Sequence, residues 1–112
     1  MNHYLSEVAT DDRWIDGKRI YRKSFQMGSL PNGSVAAPAQ ASVPHGIVGL
    51  DTVVRQWSFA KSASGTQRTV PYADSKPEDT LTLEVNGTVV AIIAYANWTD
   101  HTAVVTLEYT KS

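Results

Sequence analysis

The stretch that decides the fold is TLTLEVNGTVVAIIAY, Thr80–Tyr95. Apolar and polar residues alternate from Leu81 to Val85, which is the period-two pattern of a strand with one buried face. Asn86-Gly87 follows, and this pair is a strong hairpin signal because both residues tolerate a positive φ in a type I′ turn. The stretch therefore predicts a hairpin in which residues 80–85 pair with residues 88–95.

The second arm of this hairpin, TVVAIIAY, is apolar at successive positions. A strand that is apolar on both faces is typical of a central strand covered on both sides. A polar connection, ANWTDHT, comes next, and the alternation then resumes in AVVTLEYT, which predicts a third strand over 103–110.

Similar patterns occur upstream. Asp16-Gly17 predicts a turn between a short arm, Trp14-Ile15, and a longer arm, Lys18–Met27. Leu50–Ala60 is rich in β-branched and aromatic residues, so it favours a strand over a helix. A further short strand is predicted near Arg68–Tyr72, and no window of the chain has a convincing helical period.

The remaining segments fix the domain organisation. Residues 28–49 are rich in Gly, Pro, Ala and Ser, which predicts a long loop, and residues 1–12 are predicted to form an N-terminal extension. The 112 residues suit one domain with one core. The expected fold is therefore all-β: a single antiparallel β-sandwich of jelly-roll type built from six to eight short strands. A small barrel of the OB type is the alternative.

Composition limits the possible functions. Ten Lys and Arg oppose eleven Asp and Glu, giving a net charge of -1, so contact with nucleic acid would depend on a local patch. The absence of cysteine excludes disulfides and thiolate metal sites. The N-terminus lacks the pattern of a signal peptide, and no window approaches 18 apolar residues, which predicts that nothing exports the chain or inserts it into a membrane.

Motifs for catalysis or metal binding are missing. The histidines lack the spacing of a metal site, no serine sits in a Gly-x-Ser-x-Gly elbow, and the glycines fit no phosphate-binding loop. The carboxylates that could form an acid–base pair lie in polar segments, where they should keep ordinary pKa values. The residues considered were His3, His45 and His101 among the histidines, and Asp11, Asp12, Asp74, Glu78 and Asp79 among the acids. The sequence predicts no enzyme, no metal site and no cofactor.

Two groups of residues could form a surface for a ligand or a partner. RWIDGKRIYRKSF, Arg13–Phe25, interleaves cations with aromatic rings, as single-stranded nucleic acid sites do, but solvated charges on a strand explain the pattern better at this net charge. The connection between the last two predicted strands holds Trp98, which we expect to be partly exposed. The candidate surface residues are Trp98, Asp100, His101, His45, Arg19 and Arg22.

The order of several segments resembles a known family. The matching segments are Trp14–Lys18, Tyr21, Leu30–Asn32, His45–Ile47 and Val105–Lys111. Together they resemble the small C-terminal β-sandwich domain of bacteriophage tail-fibre and other virion proteins, over nearly the whole chain from about Tyr4.

This resemblance implies a non-enzymatic virion structural protein that is made in the bacterial cytoplasm and self-associates as a homotrimer. The leading hypothesis is a fibre-tip or attachment domain that binds a host-surface glycan or receptor. The alternative is a head, collar, baseplate or tail decoration protein that binds other virion proteins. A small nucleic-acid-binding barrel is the remote alternative; on the leading hypothesis no nucleic-acid partner is expected.

Overall fold

The computed structural model describes residues 7–72 and 80–112, and these ranges contain eight strands and no helix. No helix there is long and apolar enough to cross a membrane. The strands are β1 (Val8–Arg13), β2 (Arg19–Ser29), β3 (Ala39–Pro44), β4 (Leu50–Ser62), β5 (Gln67–Val70), β6 (Leu81–Val85), β7 (Val89–Ala94) and β8 (His101–Lys111).

Five strands form one antiparallel sheet in the order β1-β2-β8-β4-β5. The central strand of this sheet is β8, and the alternation in its sequence directs one apolar face towards the core. Val105, Leu107 and Tyr109 lie on the inner face of β8, and each is fully buried. The predicted C-terminal strand is therefore confirmed, and it organises the larger sheet.

The other sheet is antiparallel in the order β3-β7-β6. In its hairpin Leu81 pairs with Ala94 and Val85 with Val90, which confirms the pairing predicted from the sequence. The central position of β7 is confirmed too.

The two sheets share one hydrophobic core. Phe25 and Val105 from the larger sheet join Val90 and Ile92 from the smaller sheet in a single buried cluster. Along one side, the backbones of Tyr72 and Leu81 form a reciprocal bridge with N···O distances of 2.9 and 2.8 Å. The chain is thus an all-β single domain made of two antiparallel sheets.

Two segments expected to be irregular contain strands. The predicted extension 1–12 includes most of β1, and the predicted loop 28–49 includes β3. Residues Ala39, Ala41 and Val43 of β3 are half-buried, while the residues between them are exposed. Because β3 is an edge strand, Pro44 at its end is tolerated despite its missing N–H. The Gly and Pro content concealed this alternation.

The turn between β6 and β7 also differs from expectation. Gly87 is not among the glycines with a positive φ, so the turn is not of type I′. Instead, Oδ1 of Asn86 accepts hydrogen bonds from the backbone N–H groups of Thr88 and Val89, at 2.8 and 2.9 Å. The asparagine side chain closes this turn. In the upstream hairpin, by contrast, Gly17 does adopt a positive φ of 84°.

Candidate functional site

A hollow of about 270 Å³ opens between the end of β5 and the connection from β7 to β8. We call it the edge hollow. Its lining residues are Arg68, Tyr72, Ala96, Asn97, Trp98, Asp100 and His101. It therefore brings together three residues predicted to form a surface, namely Trp98, Asp100 and His101.

The backbone of the β7–β8 connection is held by the segment that follows β2. The N–H of Leu30 donates to the carbonyl of His101 at 2.9 Å, and the N–H of Gly33 donates to that of Ala96 at 2.8 Å. Trp98 in turn donates its backbone N–H to the carbonyl of Pro31 at 3.2 Å. These bonds fix the connection at three points, so its side chains are presented on a defined backbone.

Trp98 is buried rather than partly exposed as predicted, with only 5% of its surface accessible. Its ring meets Tyr72 edge-on, with centroids 5.8 Å apart, and meets His101 edge-on at 4.7 Å. The reason is tertiary: the polar connection folds back against residues 30–33, which the local sequence does not reveal. Trp98 therefore forms a wall of the hollow and not a protruding ring.

Two ring nitrogens in this wall have no hydrogen-bond partner among the residues that the structure describes. They are Nε1 of Trp98 and Nε2 of His101. His101 is 9% exposed, and its Nδ1 lies 2.7 Å from Oδ1 of Asp100. Because a carboxylate only accepts, Nδ1 carries a proton. Both nitrogens are almost inaccessible to solvent, and buried polar groups of this kind normally have a partner.

Arg68 supplies the positive charge of the hollow. Its Cζ lies 5.2 Å from the centroid of the Tyr72 ring and 5.8 Å from that of Trp98. Such contacts between guanidinium and aromatic groups are attractive and hold the cation in place. Sequence reasoning missed Arg68 and Tyr72 as site residues, because no local pattern shows that β5 lies beside the β7–β8 connection.

His45 is not a surface residue as predicted; only 1% of it is exposed. Its Nδ1 accepts the backbone N–H of Ile47 at 3.0 Å, so Nε2 carries the proton and donates to the carbonyl of Asn86 at 2.9 Å. The turn at Gly46, where φ is 63°, accompanies the inward orientation of the ring. His45 therefore links two loops of the scaffold.

Arg19 and Arg22 lie away from the edge hollow, and neither lines it. Arg19 donates from Nη1 to the carbonyl of Thr10 at 2.7 Å. Arg22 donates from Nε to Oε2 of Glu108 at 2.9 Å, and Glu108 is 1% exposed. Both arginines thus make these contacts within the larger sheet. Arg22 also borders an exposed surface of that sheet.

That open surface is the outer face of the larger sheet, centred on Trp57, which is 44% exposed. The guanidinium groups of Arg22 and Arg55 lie 5.5 and 5.9 Å from its ring centroid. We call Arg22, Arg55 and Trp57 the outer patch. It is the second candidate surface of the molecule.

Other cations of the Arg13–Phe25 stretch make contacts within the chain. Nζ of Lys23 donates to the carbonyl of His45 at 2.6 Å, and Nζ of Lys18 pairs with Asp51 at 2.9 Å. These contacts leave fewer cations of this stretch available to a polyanion, the remote alternative considered for it.

No group of three metal-ligating side chains occurs within residues 7–72 and 80–112. Four residues weighed for metal or acid–base chemistry, His3, Asp74, Glu78 and Asp79, lie outside the described residues.

The function must therefore be inferred from the edge hollow, the outer patch and the sequence, since no protein-family model, curated protein or solved structure matches the chain.

Proposed function

We propose that the chain is a non-enzymatic bacteriophage virion domain, a β-sandwich of jelly-roll type, that binds a host-surface glycan in the edge hollow. The observation that carries this proposal is the edge hollow itself, in which the guanidinium of Arg68 lies over the aromatic rings of Tyr72 and Trp98. A guanidinium donates hydrogen bonds to sugar oxygens, and an aromatic wall packs against the apolar face of a sugar ring. Aromatic walls with a few convergent polar groups are typical of small-ligand sites.

The location of the hollow also supports an attachment role. It is built from a connection and the end of an edge strand, and binding residues are often carried by loops on a rigid scaffold. Residues that carry the virion resemblance belong to the scaffold. Leu30 is 1% exposed, and His45 links two loops. A rigid scaffold that carries a loop-borne site suits a receptor-binding domain.

The direct test is adherence of the purified protein to host cells and to arrays of their surface glycans. We expect binding that falls at least about tenfold for Tyr72→Ala, which removes an aromatic wall. Arg55→Gln, on the outer patch, is the matched control and should bind like the wild type. Absence of adherence to cells and glycans would refute the attachment role.

A second candidate function is decoration of the virion through contact with other virion proteins. The outer patch favours it, because a half-exposed Trp flanked by two Arg is a combination common at protein interfaces. The same face could join copies of this chain into the homotrimer implied by the resemblance.

Mass measurement in solution and labelling of the particle test this second function. A trimer has three times the monomer mass of 12.2 kDa. Trp57→Ser should shift the equilibrium from trimer towards monomer. Location at a head or collar site, together with no adherence to cells, would favour decoration over attachment. A strict monomer at micromolar concentration would refute the trimer.

A further inference from the structure

Arg68 is the cation of the edge hollow, and its charge is not used inside the described part of the chain. Arg22 and Arg55 both lie against the buried Glu108, whereas no ion pair joins Arg68 to a carboxylate of residues 7–72 or 80–112. Its position over two aromatic rings fixes the guanidinium. A stacked guanidinium keeps its planar set of N–H donors, which matches the two oxygens of a carboxylate.

The acid of the hollow, Asp100, is held by a different partner. Its Oδ1 accepts from Nδ1 of His101 at 2.7 Å. This bond holds one carboxylate oxygen against the imidazole of His101. The guanidinium of Arg68 therefore stays available to a ligand. The hollow thus offers one cation at β5 beside the aromatic wall formed by Tyr72 and Trp98.

Building on the proposed glycan-binding function, we propose that the edge hollow takes a sugar residue that carries a carboxylate, such as a uronic acid. Arg68 binds the carboxylate through paired N–H···O bonds. The aromatic wall formed by Tyr72 and Trp98 packs against the sugar ring. The volume of about 270 Å³ lies below that of pockets for drug-sized ligands, roughly 300–1,000 Å³, and suits a single sugar residue.

Two pairs of probes test the charge requirement. The first is an oligogalacturonate and its methyl ester, which differ at the carboxylate, and the second is sialylated lactose and lactose. Binding is measured by calorimetry and by shifts of the Trp98 indole N–H signal in NMR spectra. The variants are Arg68→Gln, which removes the cation, and Arg55→Gln, which removes a cation from the outer patch. Thermal unfolding of each variant shows whether the fold is kept.

We expect at least one acidic probe to bind and to shift the Trp98 signal, with its neutral counterpart at least about tenfold weaker. Arg68→Gln should lose a similar factor, and Arg55→Gln should lose none. Equal affinity for the acidic and neutral members, or no effect of Arg68→Gln, would overturn this inference but leave glycan binding intact. Failure of every saccharide to bind would overturn the inference, and with no adherence to host cells it would also remove the attachment function.

Discussion

Gly33 lies against the carbonyl oxygen of Ala94 so closely that a Cβ at position 33 would overlap it. The same Cβ would lie 2.8 Å from the backbone nitrogen of Ala39. Both neighbours are backbone atoms of the smaller sheet, so neither can rotate away as a side chain would. Gly33 is therefore required by close approach, and it connects the segment after β2 to β3 and β7.

The first prediction is that Gly33→Ala destabilises the protein by about 3 kcal/mol, because the added methyl group must displace backbone in a packed sheet. Urea unfolding followed by circular dichroism measures the change. Gly87→Ala is the control, since a Cβ at Gly87 meets nothing within 4 Å and its φ is not positive. We expect that control to change stability by less than about 1 kcal/mol. Equal losses in the two variants would contradict the packing argument.

The second prediction concerns His45, which bridges the backbone of Ile47 and Asn86 from a buried position. His45→Leu substitutes an apolar side chain of similar size and leaves a buried N–H and a carbonyl without this partner. Each unmade bond of this kind costs about 1–3 kcal/mol, so we expect a loss of about 3 kcal/mol in unfolding free energy. His45→Gln, which can restore one bond, should lose less. A stability of His45→Leu equal to that of the wild type would show that the two bonds contribute nothing net.

The fold was predictable where the local pattern and the tertiary environment agree. The alternation from Leu81 to Val85 and along β8 gave the correct strands, because one face of each lies on the shared core. β3 was missed because Ala, Ser and Pro carry a weak alternation signal, and its pairing with β7 is what makes it a strand. Turn geometry was misjudged because the side chain of Asn86, and not a positive φ at Gly87, closes the hairpin.

The candidate site was predictable only in part. Trp98, Asp100 and His101 are neighbours in sequence, so their proximity follows from the chain itself. Arg68 joins them because the bridge between Tyr72 and Leu81 brings the end of β5 beside the smaller sheet. A contact of this kind depends on how the two sheets pack together. The spacing of residues within either sequence segment does not reveal it.

The third prediction follows from the turn at Asn86, whose Oδ1 accepts from the backbone N–H groups of Thr88 and Val89. Asn86→Ala removes both bonds, and we expect a loss of about 1–2 kcal/mol in unfolding free energy. Asn86→Asp keeps an acceptor oxygen in the same place and should lose less than half of that. Differential scanning calorimetry measures both. If Asn86→Asp were as unstable as Asn86→Ala, the side-chain acceptor would not be what closes the turn.

The last prediction is a pH dependence that arises where Glu7 meets β8. Tyr109 donates its hydroxyl to Oε1 of Glu7 at 2.6 Å, and Nζ of Lys111 pairs with Oε2 at 2.8 Å. Burial opposes the charge on Glu7, but the hydrogen bonds from Lys111 and Tyr109 outweigh it and lower the pKa of the carboxyl group. Burial, and then the bond to Glu7, raise the pKa of Tyr109, so this phenol remains a donor.

Because the pKa of Glu7 is lower in the folded state than the ordinary value of about 4.3, its contribution is complete above that pH and is lost as the pH falls through the folded-state pKa. We expect Glu7→Gln to cost about 1 kcal/mol at pH 7 and to approach no cost at about pH 2. Urea unfolding of both proteins at several pH values gives the difference. Asp11→Asn, an exposed substitution on β1, is the matched control for removal of one carboxylate and should leave the unfolding free energy at pH 7 nearly unchanged. If the cost of Glu7→Gln stayed constant or grew on acidification, the negative charge of Glu7 would not be what stabilises its contact with β8.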